Sequence, residues 1–370
     1  MDVVPVQNPS DLDRFVRYAY HRYRGHPTWV PPLPSDEKAR LTPGKNPYFE
    51  HAEAALYLAT DSGRVVGRIA ATVDKNHDAF HSERQAAFGF FEADTSAAAA
   101  ALFKAAEAWG RSKGAEVMRG PLNFTTNDEC GLLIEGFAHR PTLLMPYNVP
   151  EYQGWVEAAG FRKAKDLYSF RGKVAPRAPE KFERLAAMVT RRERVVMRPL
   201  DMRRFDDELA RVKTVYNAAW ERNWGFVPMT DAEIDHMAKQ LKPAIVPDLV
   251  RFAEVDGRPI AFGMVLPDVN EALAKVGGRL FPFGIFRLLW TLPRIRVGRY
   301  LAMGVVGEYQ KRGIGALLVQ DMTHAAHRRN YRECEVGWTL EDNDSVNDII
   351  RAYGCVRTAV YRIYEKPLPS

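Results

Sequence analysis

Residues 303–319 read MGVVGEYQKRGIGALLV. An apolar run suited to a strand gives way to two glycines and two cations, and then to the apolar spacing of a helix, GIGALLVQDMTHAAHRRN, at 313–330. The first N–H groups of a helix have no internal partner, and the helix dipole favours negative charge there. A strand that feeds a helix through small residues is therefore an anion site. Gly313 and Gly315 let the backbone approach a phosphate, and Lys311 and Arg312 add charge. A P-loop needs Lys-Ser or Lys-Thr after its last glycine, and Gly315 is followed by Ala316. A dinucleotide fingerprint needs a third glycine and a place after the first strand of a βαβ unit. The pattern Q/R-x-x-G-x-G/A fits residues 310–316 without a gap.

The elements around this turn occur twice. In the second half, VVMRPL (195–200) reads as a strand and residues 201–223 as a helix. A hairpin with an Asp-Gly turn follows at 249–267. Then come the strand before the turn, the helix after it, the strand ECEVGW (333–338), the helix SVNDIIRAYGC (345–355) and the strand AVYRIYEK (359–366). The first half repeats the order: VVPV, a helix over 10–25, a hairpin over 54–73, and the strand QAAFGFFEAD (85–94). A helix over 96–114 with Ser96 as cap follows, then the strand at 116–124, the helix at 151–161 and the strand KDLYSF (165–170). Mixed elements repeated at this long period indicate duplication of a whole domain rather than a solenoid. Residues 171–194, charged and Pro-containing, read as a linker with one connecting helix.

The turn and its setting resemble the GNAT superfamily of acyl-CoA-dependent N-acyltransferases, whose members carry a strand ending L-x-V-x-P-E-Y-Q-x-x-G-x-G before a helix. Gly307 stands in place of the usual proline. The resemblance implies an α/β (α+β) fold of tandem GNAT-like domains, each a mixed, mostly antiparallel sheet flanked by helices. The expected division is a degenerate domain at 1–172, a linker at 173–194, and a CoA-binding domain at 195–370 with an insertion at 270–299. The first half is read as degenerate because FGFFEADTSAAAA (88–100) stands where the phosphate turn belongs, with Asp94 in place of cations. Looser similarity links the whole chain to GNAT-like bacterial ceramide synthases, which acylate long-chain amino bases.

By the family's pattern, acetyl-CoA or a longer acyl-CoA is the co-substrate and no metal is needed. Met303, Gly304 and Val305 would lie along the pantetheine arm, with the Val305 N–H polarising the thioester carbonyl. Gln310, Lys311, Arg312, Gly313, Ile314, Gly315 and Ala316 would hold the pyrophosphate, with Asn343 nearby. The usual leaving-group acid, a Tyr four residues before the glycine of the last helix, falls on Ile350, which has no proton to donate; either Tyr353 substitutes, or the thiolate takes its proton from water, or the chain is not an acetyltransferase of the common kind. Glu221, in AAWERNWGF, is the candidate base, ahead of Glu308. His77 and His81 have i, i+4 spacing but no third ligand, so no metal site is read there.

Composition is that of a globular protein, 46% hydrophobic and 26% charged, with a net charge of +6. The basic balance suits an anionic partner, but the 52 cations are spread along the chain, so DNA is not expected. Three scattered cysteines and the lack of a signal-like N-terminus point to a cytoplasmic protein. The stretch 270–299, NEALAKVGGRLFPFGIFRLLWTLPRIRVGR, is long for a strand connection and mixes aromatics with arginines. It is expected to line the acceptor or acyl site for an amphipathic molecule, or to touch lipid at a membrane through 278–298, its arginines facing phosphates or head groups; the alternative is a helical hairpin packed against the first domain. The partner expected is a small-molecule amine. Two other classes stay open: a non-catalytic CoA-binding or scaffold protein, and an aminoacyl or peptidyl transferase.

Overall fold

The computed structural model describes residues 1–280 and 282–369. It divides into two compact units, the first made of Met1–Leu167, Leu273–Ile285 and Ala359–Ser370, the second of Tyr168–Ala272 and Phe286–Thr358.

The first unit contains β1 (Asp2–Pro5), α1 (Pro9–Arg22), α2 (Pro34–Arg40), β2 (Ala52–Asp61), β3 (Arg64–Asp74), α3 (Lys75–His81), β4 (Gln85–Ala93), α4 (Ser96–Ser112), β5 (Val117–Gly120), β6 (Leu132–Glu135) and α5 (Glu151–Ala158). β7 (Arg162–Lys173) begins here and ends in the second unit. That unit continues with α6 (Glu180–Glu193), β8 (Val196–Pro199), α7 (Phe205–Trp220), α8 (Asp231–Leu241), β9 (Val250–Val255) and β10 (Arg258–Pro267). α9 (Asn270–Val276) passes into the first unit at Leu273, and α10 (Gly284–Thr291) returns to the second at Phe286; β11 (Val297–Val305), α11 (Ile314–Arg328), β12 (Glu333–Leu340) and α12 (Asp344–Ala352) follow there. Last comes β13 (Val356–Pro367), which from Ala359 onward belongs to the first unit.

The duplication is visible in the pairing. β1 to β4 pair antiparallel in sequence order, and β4 pairs parallel with β5. β8 to β11 repeat the antiparallel order, and β11 pairs parallel with β12. Each sheet is thus mixed and mostly antiparallel, with helices against it. The final strands depart from the expected division at 172 and 195. β7 follows α5 in sequence but runs on beside β12. β13 follows α12, yet Tyr364–Pro367 pair with Val117–Gly120 of β5. An alternating apolar pattern marks a strand and its inward face but carries no information about which sheet receives it.

Ion pairs and packing hold β13 in the first unit. Arg362 donates twice to Asp166, at 2.7 and 3.0 Å, and Lys366 donates to Glu107 at 2.6 Å. Tyr364 is buried in the aromatic core around Phe88, Phe103 and Phe161. Caps account for several helix starts. Asn8 accepts from Ser10 and Asp11 at the head of α1. α4 is capped by Thr95, not by Ser96 as the sequence suggested; its hydroxyl accepts from Ala98 N–H at 3.2 Å. α8 was not anticipated, although Thr230 and Glu233 form a complete capping box.

Candidate active site

The site is built where β11 and β12 part, within the second unit. Their parallel ladder runs from Val297–Glu333 to Tyr300–Val336 and goes no further. Beneath the opening, Arg299 and Glu335, partners in register, form a buried ion pair at 3.0 Å, and Ser169 also donates to Glu335. Arg299 therefore faces neither phosphate nor lipid, contrary to the expectation for the insertion's arginines.

Beyond Tyr300, β11 is held on one edge only. The Val306 N–H donates to the Ile260 carbonyl at 2.9 Å, and Val305 and Met303 stand opposite Ala261 and Gly263. Bonded pairs alternate in an antiparallel ladder. The N–H groups of Met303 and Val305 therefore turn away from β10, toward the edge where β12 has separated. Gly304 serves another purpose. A Cβ there would lie 2.3 Å from the ring of Trp220, so the glycine lets α7 pack directly on the strand.

The strand ends in the turn singled out in the sequence. Gln310 donates from Nε2 to the Val305 carbonyl at 3.1 Å. Lys311 adopts φ 63° and Gly313 φ 88°, which turn the chain into α11. No side chain caps α11, so the N–H groups of Ile314, Gly315 and Ala316 lack an intrahelical partner. In the first unit the equivalent helix, α4, is capped by Thr95, and Asp94 beside it accepts from Tyr18 and Arg64. The two helix starts thus differ in the property an anion needs. Lys311 is exposed and in no ion pair among the described residues, whereas Arg312 is tied to Glu193 at 3.2 Å.

The linker helix forms part of this site, which sequence reading missed. Arg192 of α6 donates to the Arg312 carbonyl at 2.9 Å, and Val189 lies where a side chain on Gly313 would project, 2.7 Å away. Phe182 packs on Ala316 and on the Tyr353 ring, 5.0 Å between centroids. Ala316 is consequently buried by the linker helix, and only its N–H remains to offer a ligand. The regular charge pattern of residues 180–193 hid this role; their apolar positions Phe182, Ala186 and Val189 were the available signal.

Tyr353 packs against Phe182 just past the end of α12. Its hydroxyl is buried without a hydrogen-bond partner, and burial, then the nearby Glu183, pushes its pKa upward. Ile350 is a buried packing residue. Asn343 is the N-cap of α12, accepting from Val346 N–H. Asn347, which went unremarked in the sequence, joins β12 to α12: it accepts from Thr339 at 2.6 Å and donates to the Leu340 carbonyl. Glu221 is exposed just past the end of α7, next to the Trp220 that packs on Gly304. Glu308 is exposed at the turn. A cavity of about 550 Å³, lined in part by Arg177, Glu183, His324 and Arg328, lies toward the other end of α11.

The first unit carries a buried carboxylate. Buried Glu92 on β4 accepts from the hydroxyls of Tyr23 at 2.6 Å and Tyr152 at 2.8 Å. Arg68 stands opposite it in register on β3. Burial raises the Glu92 pKa despite these neighbours. The His77 and His81 rings lie tilted to each other, 4.6 Å between centroids, and among the described residues no group of three or more His, Cys, Asp or Glu could hold a metal. No described helix is long and apolar enough to cross a membrane.

No family model matches the chain. Solved structures match it along its length: a tandem GNAT protein from the clavulanic acid biosynthesis pathway, 12% identical with a TM-score of 0.57, covers 100% of this chain and 99% of its own. A GCN5-related N-acetyltransferase from Sphaerobacter thermophilus, 14% identical with a TM-score of 0.52, covers 100% and 96%. The repeated strand order with helices against it is thus the tandem GNAT fold. Within it, the chain belongs to the family of the bacterial ceramide synthase of Caulobacter vibrioides (strain NA1000 / CB15N), with which it is 38% identical over 377 residues, 100% of this chain and 98% of that protein. Protein YghO of Escherichia coli (strain K12) is 36% identical over 369 residues, 98% and 94% of the two chains.

Proposed function

We propose that this chain is an acyl-CoA-dependent N-acyltransferase that places a long acyl chain on an amphipathic amine. The observation that carries the reading is the pair of unbonded N–H groups, on Met303 and Val305, at an opened strand edge leading to an uncapped helix. The thioester carbonyl would accept from the Val305 N–H, and the pyrophosphate from Ile314, Gly315 and Ala316, with Lys311 adding charge. The neutral amine nitrogen attacks the carbonyl carbon, the carbon–sulfur bond breaks, and the amine proton passes to a base. Glu221, exposed beside the Trp220 wall, is the proposed base. The CoA thiolate then takes its proton from water, since the Tyr353 hydroxyl is sealed under Phe182. A ceramide is the amide of a long-chain amino alcohol, so the printed name of the Caulobacter relative supports amide formation on a lipid-like amine.

The test is calorimetric titration of the full chain with palmitoyl-CoA, acetyl-CoA and free CoA, followed by turnover of palmitoyl-CoA with sphinganine. Expected are binding of all three CoA species, loss of binding in Gly315→Glu, and turnover that survives in Tyr353→Phe but falls at least ~10²-fold in Glu221→Gln. CoA binding without turnover on any long-chain amine would favour a non-catalytic CoA-binding protein. No binding of any CoA species would end both readings.

A further inference from the structure

Among the described residues, nine large hydrophobic side chains are exposed, and four of them, Phe283, Phe286, Leu289 and Trp290, fall within eight consecutive positions. Scattered exposed hydrophobics are ordinary, but a cluster requires an explanation. The last three lie on α10, where they are 68%, 59% and 61% exposed. At 100° per residue they occupy one arc of the helix. Thr291 is buried on the opposite arc, where Leu288 is half-buried. The helix is therefore seated by its other side, and its large aromatics point outward.

Charge identifies what covers this face. No acidic residue occurs from 272 to 307, while Lys275, Arg279, Arg287 and Arg294 are all exposed. The Arg294 guanidinium lies 4.0 Å over the Trp290 ring and donates to the Trp290 carbonyl. An apolar strip flanked by cations, with an arginine stacked on a tryptophan, matches the layering of a bilayer surface: acyl chains below, anionic phosphates at the level of the guanidinium groups. A second protein copy would present this same basic segment to itself, and the cations would repel.

We infer that α10 is a membrane-docking helix, which inserts Phe286, Leu289 and Trp290 among the acyl chains of an anionic phospholipid surface while Arg287 and Arg294 bind its phosphates. The inference stands independently of the acyl-transfer reading. It is tested by flotation of the full chain with vesicles of phosphatidylcholine containing 30% phosphatidylglycerol, and with phosphatidylcholine alone. The expected result is co-flotation with the anionic vesicles, at least ~10-fold weaker with the neutral ones, and weakened by 0.5 M salt. The variant Phe286→Ser/Leu289→Ser, exposed in both positions, should keep the wild-type thermal unfolding and lose at least ~10-fold in vesicle affinity. Arg287→Gln/Arg294→Gln should lose the preference for anionic lipid. Wild-type protein that does not float, or a folded Ser variant that floats equally well, would overturn the inference. So would light scattering that shows a dimer abolished by the Ser variant, since a second copy would then cover the face.

Discussion

Two glycines that look equivalent in the sequence occupy different environments. Gly313 has φ 88° and faces Val189, whereas a Cβ on Gly315 would meet nothing within 4 Å. Gly313→Ala should therefore cost about 1–3 kcal/mol in urea denaturation, through backbone strain and the displaced α6. Gly315→Glu should leave stability within about 0.5 kcal/mol and act on the ligand alone. Equal losses of stability would mean that the turn is packed differently. Glu92 invites a pH test. Burial raises its folded pKa above the unfolded value, so the folded state holds its proton more tightly. The stability it contributes is fully present below the ordinary carboxylate pKa and is lost as pH rises through the raised value. Glu92→Gln should accordingly gain relative to wild type between pH 4 and 7. A wild-type minus variant difference that is flat across that range would place the proton elsewhere.

At the level of elements, local signals were read well where the chemistry is local. The hairpin over 249–267, the helix at 313–330 and the turn between strand and helix all follow from periodicity and glycine placement. α8 was equally legible, since Thr230-Asp-Ala-Glu233 is a complete capping signal that went unused. Thr230→Ala should cost about 1 kcal/mol, read as a lower urea midpoint with an unchanged slope; no change would mean that tertiary contacts alone hold the helix. The role of α6 was not legible. Its sequence states that Phe182, Ala186 and Val189 form a stripe, but a stripe does not name what it covers. Asn343, expected near the ligand, has a local role the sequence reading did not give it: it caps its own helix.

At the level of the molecule, duplication was readable from the order of elements, and the exchange of final strands was not. Order is written in sequence, whereas partner choice depends on which sheet edge is open when the strand arrives. The consequence for fragments is direct. A 1–172 piece lacks β13, and with it Tyr364, Arg362 and Lys366, which fill and pin the first unit. It should be insoluble or molten by near-ultraviolet circular dichroism, and a peptide of residues 356–370 added in trans should restore order. A cooperative, monomeric 1–172 fragment would show that the last strand is dispensable.

The same feature bears on how the chain is made. β13 is synthesised long after Met1–Leu167, which form most of the unit it completes. At ~5–20 residues per second, the remainder takes about 10–40 seconds to follow the first 170 residues. Throughout that interval the β5 edge lacks its β13 neighbour, so the nascent protein must shelter an open sheet until β13 emerges. A ribosome that stops before β13 therefore leaves the early-made unit unfinished as well as the later one.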